Sequence, residues 1–208
     1  MNNIKFVEPH LIEKRSFELI QQELGDIRLD PEKEPIIKRA IHTSADFDYL
    51  HNLCFSENAV KKAKEAIRNG ATIVTDTNMA LSGINKKEAS KYGVNVRCFM
   101  AEEDVAEEAK KRGETRATIS MERASKLDGP VIFAIGNAPT ALIKLYELIK
   151  ENNFKPELII GVPVGFVNVV ESKELIMDLD HVEYIIAKGR KGGSNIAAAI
   201  CNAILYNM

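Results

Sequence analysis

Between His10 and Gly25 the apolar positions Leu11, Ile12, Phe17, Leu19, Ile20 and Leu24 recur close to helical spacing, and Gly25 stands where such a helix would stop. A second helical stripe, Ile36, Ile37, Ala40 and Ile41, follows Asp30 and Pro31, a pair that signals a helix N-terminus. The polar run TSADFDYLHN then predicts a loop or short extended piece, and ENAVKKAKEAIRNG predicts another helix. Beyond residue 70 the pattern changes. Five short β-branched runs, ATIVTD, VNVRCFM, PVIFAIG, ELIIGV and EYIIAKG, alternate with segments of helical period. This alternation predicts an α/β fold: a single domain over residues 1–208, with a mainly parallel β-sheet of about five strands flanked by helices on both faces.

Composition narrows the function classes. A hydrophobic fraction of 45% with 28% charged residues suits a folded globular chain and argues against disorder. Lysine and arginine (28) nearly balance aspartate and glutamate (30), so there is no net electrostatic footprint for nucleic acid or an anionic membrane. Cys54, Cys98 and Cys201 form no C-x-x-C pair and are expected to be reduced, mostly buried thiols. The opening MNNIKFVEPHLIEKRS lacks an apolar signal core and no apolar run is long enough to span a bilayer, so a cytoplasmic location is expected.

In an open α/β sheet, ligands meet the loops beyond the carboxyl ends of the strands. VIFAIGNAPTAL runs from a strand through Gly136, Asn137 and Ala138 into a helix expected to begin near Pro139, with Thr140 after it. Free N–H groups at such an end can receive an anion. IIGVPVGFVN brings Val164 and Gly165, and AKGRKGGSNIAAA brings Arg190, Gly192, Gly193 and Ser194, to the same rim. Three such loops suggest a ligand with several carboxylates or phosphates. Neither G-x-G-x-x-G nor G-x-x-x-x-G-K-[ST] is present, which weakens a dinucleotide or ATP reading. Asp76 and Met79 follow the first strand, where a helix N-cap and a core filler are the bland alternatives to ligand contacts. Thr115 and Arg116 open another helix, an unfavourable place for arginine unless an anion or a surface ion pair is near. No histidine or cysteine has a companion at metal-ligand spacing, so no metal site is expected. His42, at the end of RAIH, shares a helix face with Arg39 and reads either as a residue satisfying terminal carbonyls or as an acid/base.

The blocks IEKRSFELIQQELG, RAIHTSADFDY, TDTNMALSGI, TRATISM, AIGNAPTAL, GVPVGFVNVVESKE and KGRKGGSNIAAAI, in that order, resemble the signature blocks of the precorrin-8X methylmutase family over almost the whole chain. The resemblance implies migration of a methyl group from carbon 11 to carbon 12 of a corrinoid, with or without cobalt, in a homodimer that needs no separate cofactor. It places the catalytic histidine on His42. It assigns substrate contacts to Ser16, Arg39, Asp76, Met79, Thr115 and Arg116, with Asn137, Ala138, Pro139, Thr140, Val164, Gly165, Arg190, Gly192, Gly193 and Ser194 on the three loops. Several carboxylates on the substrate would suit those loops and arginines. Thr43, Ser44 and Asp46 follow the histidine and are placed to hydrogen-bond it. A non-catalytic corrinoid carrier on the same scaffold is the alternative; it would need the loops but not the histidine.

Overall fold

Strand order decides where a ligand can enter this protein. In a computed structural model describing residues 6–208, six strands form one sheet: β1 (Leu53–Phe55), β2 (Thr72–Thr75), β3 (Asn95–Arg97), β4 (Val131–Ile135), β5 (Leu158–Gly161) and β6 (Tyr184–Ala187). The order across the sheet is β1-β6-β5-β4-β2-β3. All neighbours are parallel except β1, which lies antiparallel on β6 with Leu53 opposite Ala187 and Phe55 opposite Ile185. The five β-branched runs account for β2 to β6. β1 is the strand the sequence pattern does not reveal: three residues cannot display a period of two, and the polar run before it ends in a single helical turn. The first residues of MNNIKFVEPHLIEKRS fall outside the described residues.

Side chains alternate along the central strands between two cores. On β4, Ile132 and Ala134 pack into one cluster while Val131, Phe133 and Ile135 pack into the other. The first cluster is covered by α1 (Ile12–Leu24), α2 (Glu34–Ser44), α3 (Tyr49–Asn52), α4 (Ala59–Arg68), α5 (Asn78–Gly83), α6 (Lys86–Ser90) and α11 (Ser194–Tyr206). The second is covered by α7 (Glu103–Arg112), α8 (Arg116–Ala124), α9 (Pro139–Asn152) and α10 (Val169–Met177). Burial on both faces explains why the runs of β4, β5 and β6 are almost continuously apolar, whereas the edge strand β3 alternates, with Asn95 and Arg97 exposed. α2 starts at Glu34, later than the Asp30–Pro31 signal implies, because Asp30 first closes a turn by accepting from the Glu32 N–H at 2.9 Å. Of the three free cysteines only Cys201 is buried; Cys54 and Cys98 are half-buried, so the expectation of mostly buried thiols is corrected to one. No helix among the described residues is long and apolar enough to cross a membrane.

Among the parallel strands the chain runs from β2 outward to β3, then returns across β2 to β4 and continues away from it. This reversal opens a crevice between the carboxyl ends of β2 and β4, the usual ligand position in doubly wound sheets. The exit of β4 is packed tightly there: a Cβ on Gly136 would fall 2.6 Å from Ser194 Cα and 2.7 Å from its nitrogen. Gly136→Ala therefore has to push the start of α11 off the sheet and should cost about 1–3 kcal/mol, the usual range for overpacking. Urea unfolding monitored by circular dichroism tests this; a midpoint equal to wild type would mean that the 193–194 segment moves freely.

Candidate active site

The crevice at the strand reversal is already occupied by a side chain. Asp76 follows β2, has no exposed surface, and accepts from the backbone N–H groups of Gly136 (2.9 Å), Asn137 (2.7 Å) and Ala138 (2.6 Å). The N–H groups expected to receive a ligand's anion are thus turned onto the protein's own carboxylate. Burial pushes the Asp76 carboxyl up from its ordinary range, and the three N–H donors pull it back down. Asp76 therefore lies beneath the Asn137–Thr140 segment, not in front of it, which corrects its assignment as a direct substrate contact. It is not a helix N-cap either: Thr77 caps α5, accepting from the Ala80 N–H at 3.1 Å. The Thr77 hydroxyl also meets that of Ser194 at 2.7 Å, which joins the start of α5 to the start of α11.

The two glycine loops are fastened to each other in the same way. The Gly193 N–H donates to the Val162 carbonyl at 2.8 Å, and the Gly165 N–H donates to the Arg190 carbonyl at 3.2 Å. Gly192 (φ 157°) and Gly193 (φ 137°) adopt backbone that side chains disfavour, and a Cβ on Gly192 would collide with the Val162 carbonyl. Beneath this loop lies Lys173 of α10, only 1% exposed, donating to the carbonyls of Gly189 (2.7 Å) and Lys191 (2.9 Å). Burial pushes its amine down to about 8. The Lys191 side chain points the other way and pairs with Asp46 (2.6 Å) and Asp48 (2.5 Å), just past the end of α2. Lys191 holds the Asp46 carboxyl below its usual range.

α2 carries the histidine. His42 is exposed, and its ring stacks on Phe17 of α1 with centroids 5.1 Å apart and planes 15° from parallel. Arg39, one turn earlier, lies 4.8 Å from the same phenyl ring and 5.3 Å from the ring of Tyr206, with Glu13 at 2.5 Å from its Nη1. Two of the three residues expected to hydrogen-bond the imidazole are engaged elsewhere: the Ser44 hydroxyl donates to the Ala40 carbonyl at 2.7 Å, and Asp46 belongs to Lys191. The imidazole lies against an aromatic face and has no hydrogen-bond partner among the described residues. Arg39 and Thr43 line a depression of about 310 Å³ with Met79, Gly83, Asn195 and Ala198. A slightly larger depression of about 360 Å³ lies along α8 and α9, at the opposite end of α9 from Pro139, and contains none of these groups. The first carries the candidate chemistry.

The chain also matches known proteins along most of its length. The family model described as precorrin-8X methylmutase matches residues 11–207. The chain belongs to the precorrin-8X methylmutase family. It is 46% identical over 198 residues to the cobalt-precorrin-8 methylmutase of Priestia megaterium, covering 95% of this chain and 88% of that one. It is 42% identical to the protein of that name from Salmonella typhimurium (97% and 96% covered) and 37% identical to the precorrin-8X methylmutase of Pseudomonas aeruginosa (93% of each). The solved precorrin-8X methylmutase of Thermus thermophilus superposes with a TM-score of 0.85 at 36% identity, covering 94% of this chain and 96% of that one.

In this methylmutase-family chain, hydrogen bonds connect several of the candidate residues. Thr115 caps α8 and its hydroxyl meets that of Thr140 at 2.9 Å, so the starts of α8 and α9 are joined, and Asp76 holds the segment before Pro139. Met79 is 70% exposed and Val164 48% exposed; Met79 is not the core filler that remained possible from sequence. Arg116 is exposed at the first position of α8, while its neighbours Arg112 and Arg123 gather the acidic groups Glu122 and Asp104. Ser16 turns its hydroxyl back to the Ile12 carbonyl at 2.9 Å. Neither Ser16 nor Arg116 is tied to the loop network by a hydrogen bond among the described residues. Three participants were missed from sequence. Phe17 sits beside Ser16 with no distinguishing pattern, and the exposed Lys191 looks like any surface lysine. Lys173 did carry a signal, since it shares the buried stripe Val169, Ser172, Lys173 and Ile176 of α10.

Removing the Asp76 carboxylate would leave three buried or half-buried N–H groups without an acceptor, each worth about 1–3 kcal/mol when unpaired. Asp76→Ala should therefore lose at least about 3 kcal/mol, seen as a lower midpoint with an unchanged slope in denaturant unfolding. A loss under about 1 kcal/mol would mean that the loop finds other acceptors.

Proposed function

We propose that this chain moves a methyl group from carbon 11 to carbon 12 of precorrin-8X or cobalt-precorrin-8, yielding hydrogenobyrinate or cobyrinate, with His42 as the acid/base and no separate cofactor. The migration is intramolecular, so no atom is gained or lost. The observation that carries the reading is an exposed histidine, stacked on Phe17 and one turn from the Arg39 that lines a depression with Met79 and Asn195, in a chain that matches the methylmutase family along residues 11–207. Imidazole delivers a proton to the ring system, which makes the conjugated ring electron-poor so that the bond from carbon 11 to the methyl group breaks as the bond from carbon 12 to it forms, and the imidazole then takes the proton back. Arg39, Arg116 and Arg190, with the hydroxyls of Ser16, Thr115, Thr140 and Ser194, face the acetate and propionate groups, while Met79 and Val164 give apolar contact to the macrocycle. Asn137, Ala138, Pro139, Gly165, Gly192 and Gly193 supply backbone at close approach, and Asp76 acts from beneath. The cobalt form is the expected better substrate, because relatives named for it reach 46% and 42% identity, against 37% and 32% for two named for precorrin-8X. The reaction belongs in the cytoplasm.

His42→Ala should retain corrinoid binding, because the loops are intact, while conversion of the prebound complex falls by about two to four decades, the range for general acid/base catalysis. Single-turnover absorbance on both the cobalt and metal-free substrates checks this, after a thermal melt has shown the variant folded. Conversion at the wild-type rate by the folded variant would remove His42 from the mechanism. Tight binding without turnover by the wild type, on either substrate, would instead favour a carrier.

The protein is expected to work as a homodimer. A depression of about 310 Å³ is at the small end for a drug-sized ligand, and a tetrapyrrole is larger. Around the rim Val164, Phe166 and Val167 stand 48%, 80% and 78% exposed, leaving apolar surface that a second copy and the macrocycle would cover. Light scattering at micromolar concentration should give twice the mass of one chain; a fully active monomer would contradict it.

A further inference from the structure

Lys173 is one of two charged residues buried among the described residues, and unlike Asp76 it was assigned no role. It occupies a place in α10 where the stripe Val169, Ser172 and Ile176 calls for an apolar side chain. Moving an ammonium into such a position costs several kcal/mol unless its protons find acceptors. Both acceptors it finds, the Gly189 and Lys191 carbonyls, lie in one loop and on either side of Arg190. The intervening carbonyl, that of Arg190 itself, accepts from the Gly165 N–H. Three successive carbonyls are therefore fixed, and the Arg190 side chain is left exposed, with its guanidinium carbon 5.3 Å from the centre of the Phe166 ring. The next side chain, that of Lys191, reaches Asp46 and Asp48 beyond the helix that carries His42.

We propose that Lys173 is a positioning residue for substrate: its buried ammonium sets the backbone on both sides of Arg190, and so aims the guanidinium at a substrate carboxylate. The inference rests on the methylmutase reading and on Arg190 meeting substrate. Lys173 touches neither substrate nor reacting atoms; it acts through the loop. A carboxylate held equally before and during migration contributes to affinity and not to the chemical step. The effect of Lys173 should therefore appear in KM and only weakly in kcat.

The test uses the full-length chain and compares wild type with Lys173→Met, Arg190→Ala and the double variant, each first checked by thermal melt. Lys173→Met keeps the length and apolar stem but removes the donors. It should raise KM for the corrinoid about tenfold, with kcat within about threefold, since one charge-assisted contact is lost from substrate and transition state alike. Because both residues serve the same contact, the double variant should be no worse than the weaker-binding single variant by more than about twofold, whereas independent roles would multiply. Unchanged KM in folded Lys173→Met, or effects that multiply in the double variant, would overturn the inference. If Lys173→Met does not fold, Lys173→Gln, which keeps a shorter N–H donor, should fold and show an intermediate rise in KM; failure of both to fold would mean that the ammonium serves the fold, and would also overturn it. A wild type that turns over no corrinoid would sink the parent reading, whereas normal wild-type turnover with an unaffected Lys173→Met would sink this one alone.

Discussion

The rim of this protein depends on one carboxylate. Asp76 leaves β2 and is enclosed against three N–H groups on the neighbouring strand's exit. Without it the strand reversal would present a vacant anion site, and the first turn of α9 would have no fixed direction. With it, the segment carrying Asn137 to Thr140 is set relative to β2, and through Thr140 and Thr115 so is the start of α8. Gly136 lets the start of α11 press against the same point. A doubly wound sheet normally offers this position to an external phosphate. Here the position is filled from within, so a carboxylate-bearing ligand has to be met further out, by arginines and hydroxyls.

Electrostatics in the protein divides by burial. Lys191 with Asp46 and Asp48, and the Arg112 and Arg123 clusters on α7 and α8, are at least partly solvated pairs whose stabilisation is modest and falls with salt. Asp76 and Lys173 are enclosed and act on backbone, one on donors and the other on acceptors. Each enclosed charge is satisfied by the loop it holds, so loop and charge cannot be exchanged separately. That coupling gives the rim its stiffness, while the solvated pairs trim the surface around it.

The architecture was legible in the sequence where the physics is local. β2, β4, β5 and β6 declare themselves as β-branched runs because both faces of the sheet are buried there, the edge strand β3 by the alternation of VNVR, and α1 and α2 by their spacing of apolar residues. β1 was not legible: its pairing with β6 is set by residues more than a hundred positions away. The same limit governs the site. His42 could be located by its sequence block, but its support could not, because Phe17 comes from another helix and Thr43, Ser44 and Asp46 look like better partners from sequence alone. Asp76 was noticed as a polar residue at a strand end, yet its partners lie 60 to 62 residues later and are backbone, which no side-chain pattern encodes.

The trough beside Arg39 runs along one stripe of α11, from Asn195 through Ala198, Ala199 and Asn202 to Tyr206, with Gly83 of α5 facing it. Gly83 and Ala198 are already so close that a methyl group on the glycine would sit 2.8 Å from the alanine's Cβ. The hollow therefore exists because of side chains that were left short, not because backbone was moved apart. Alanine in a helix is usually credited to helix propensity, but in α11 it also carves. The contour of the binding surface is inscribed as missing atoms: lengthening Ala198 or Ala199 would fill the space from the inside, whereas a methyl group on Gly83 would press α5 away from α11.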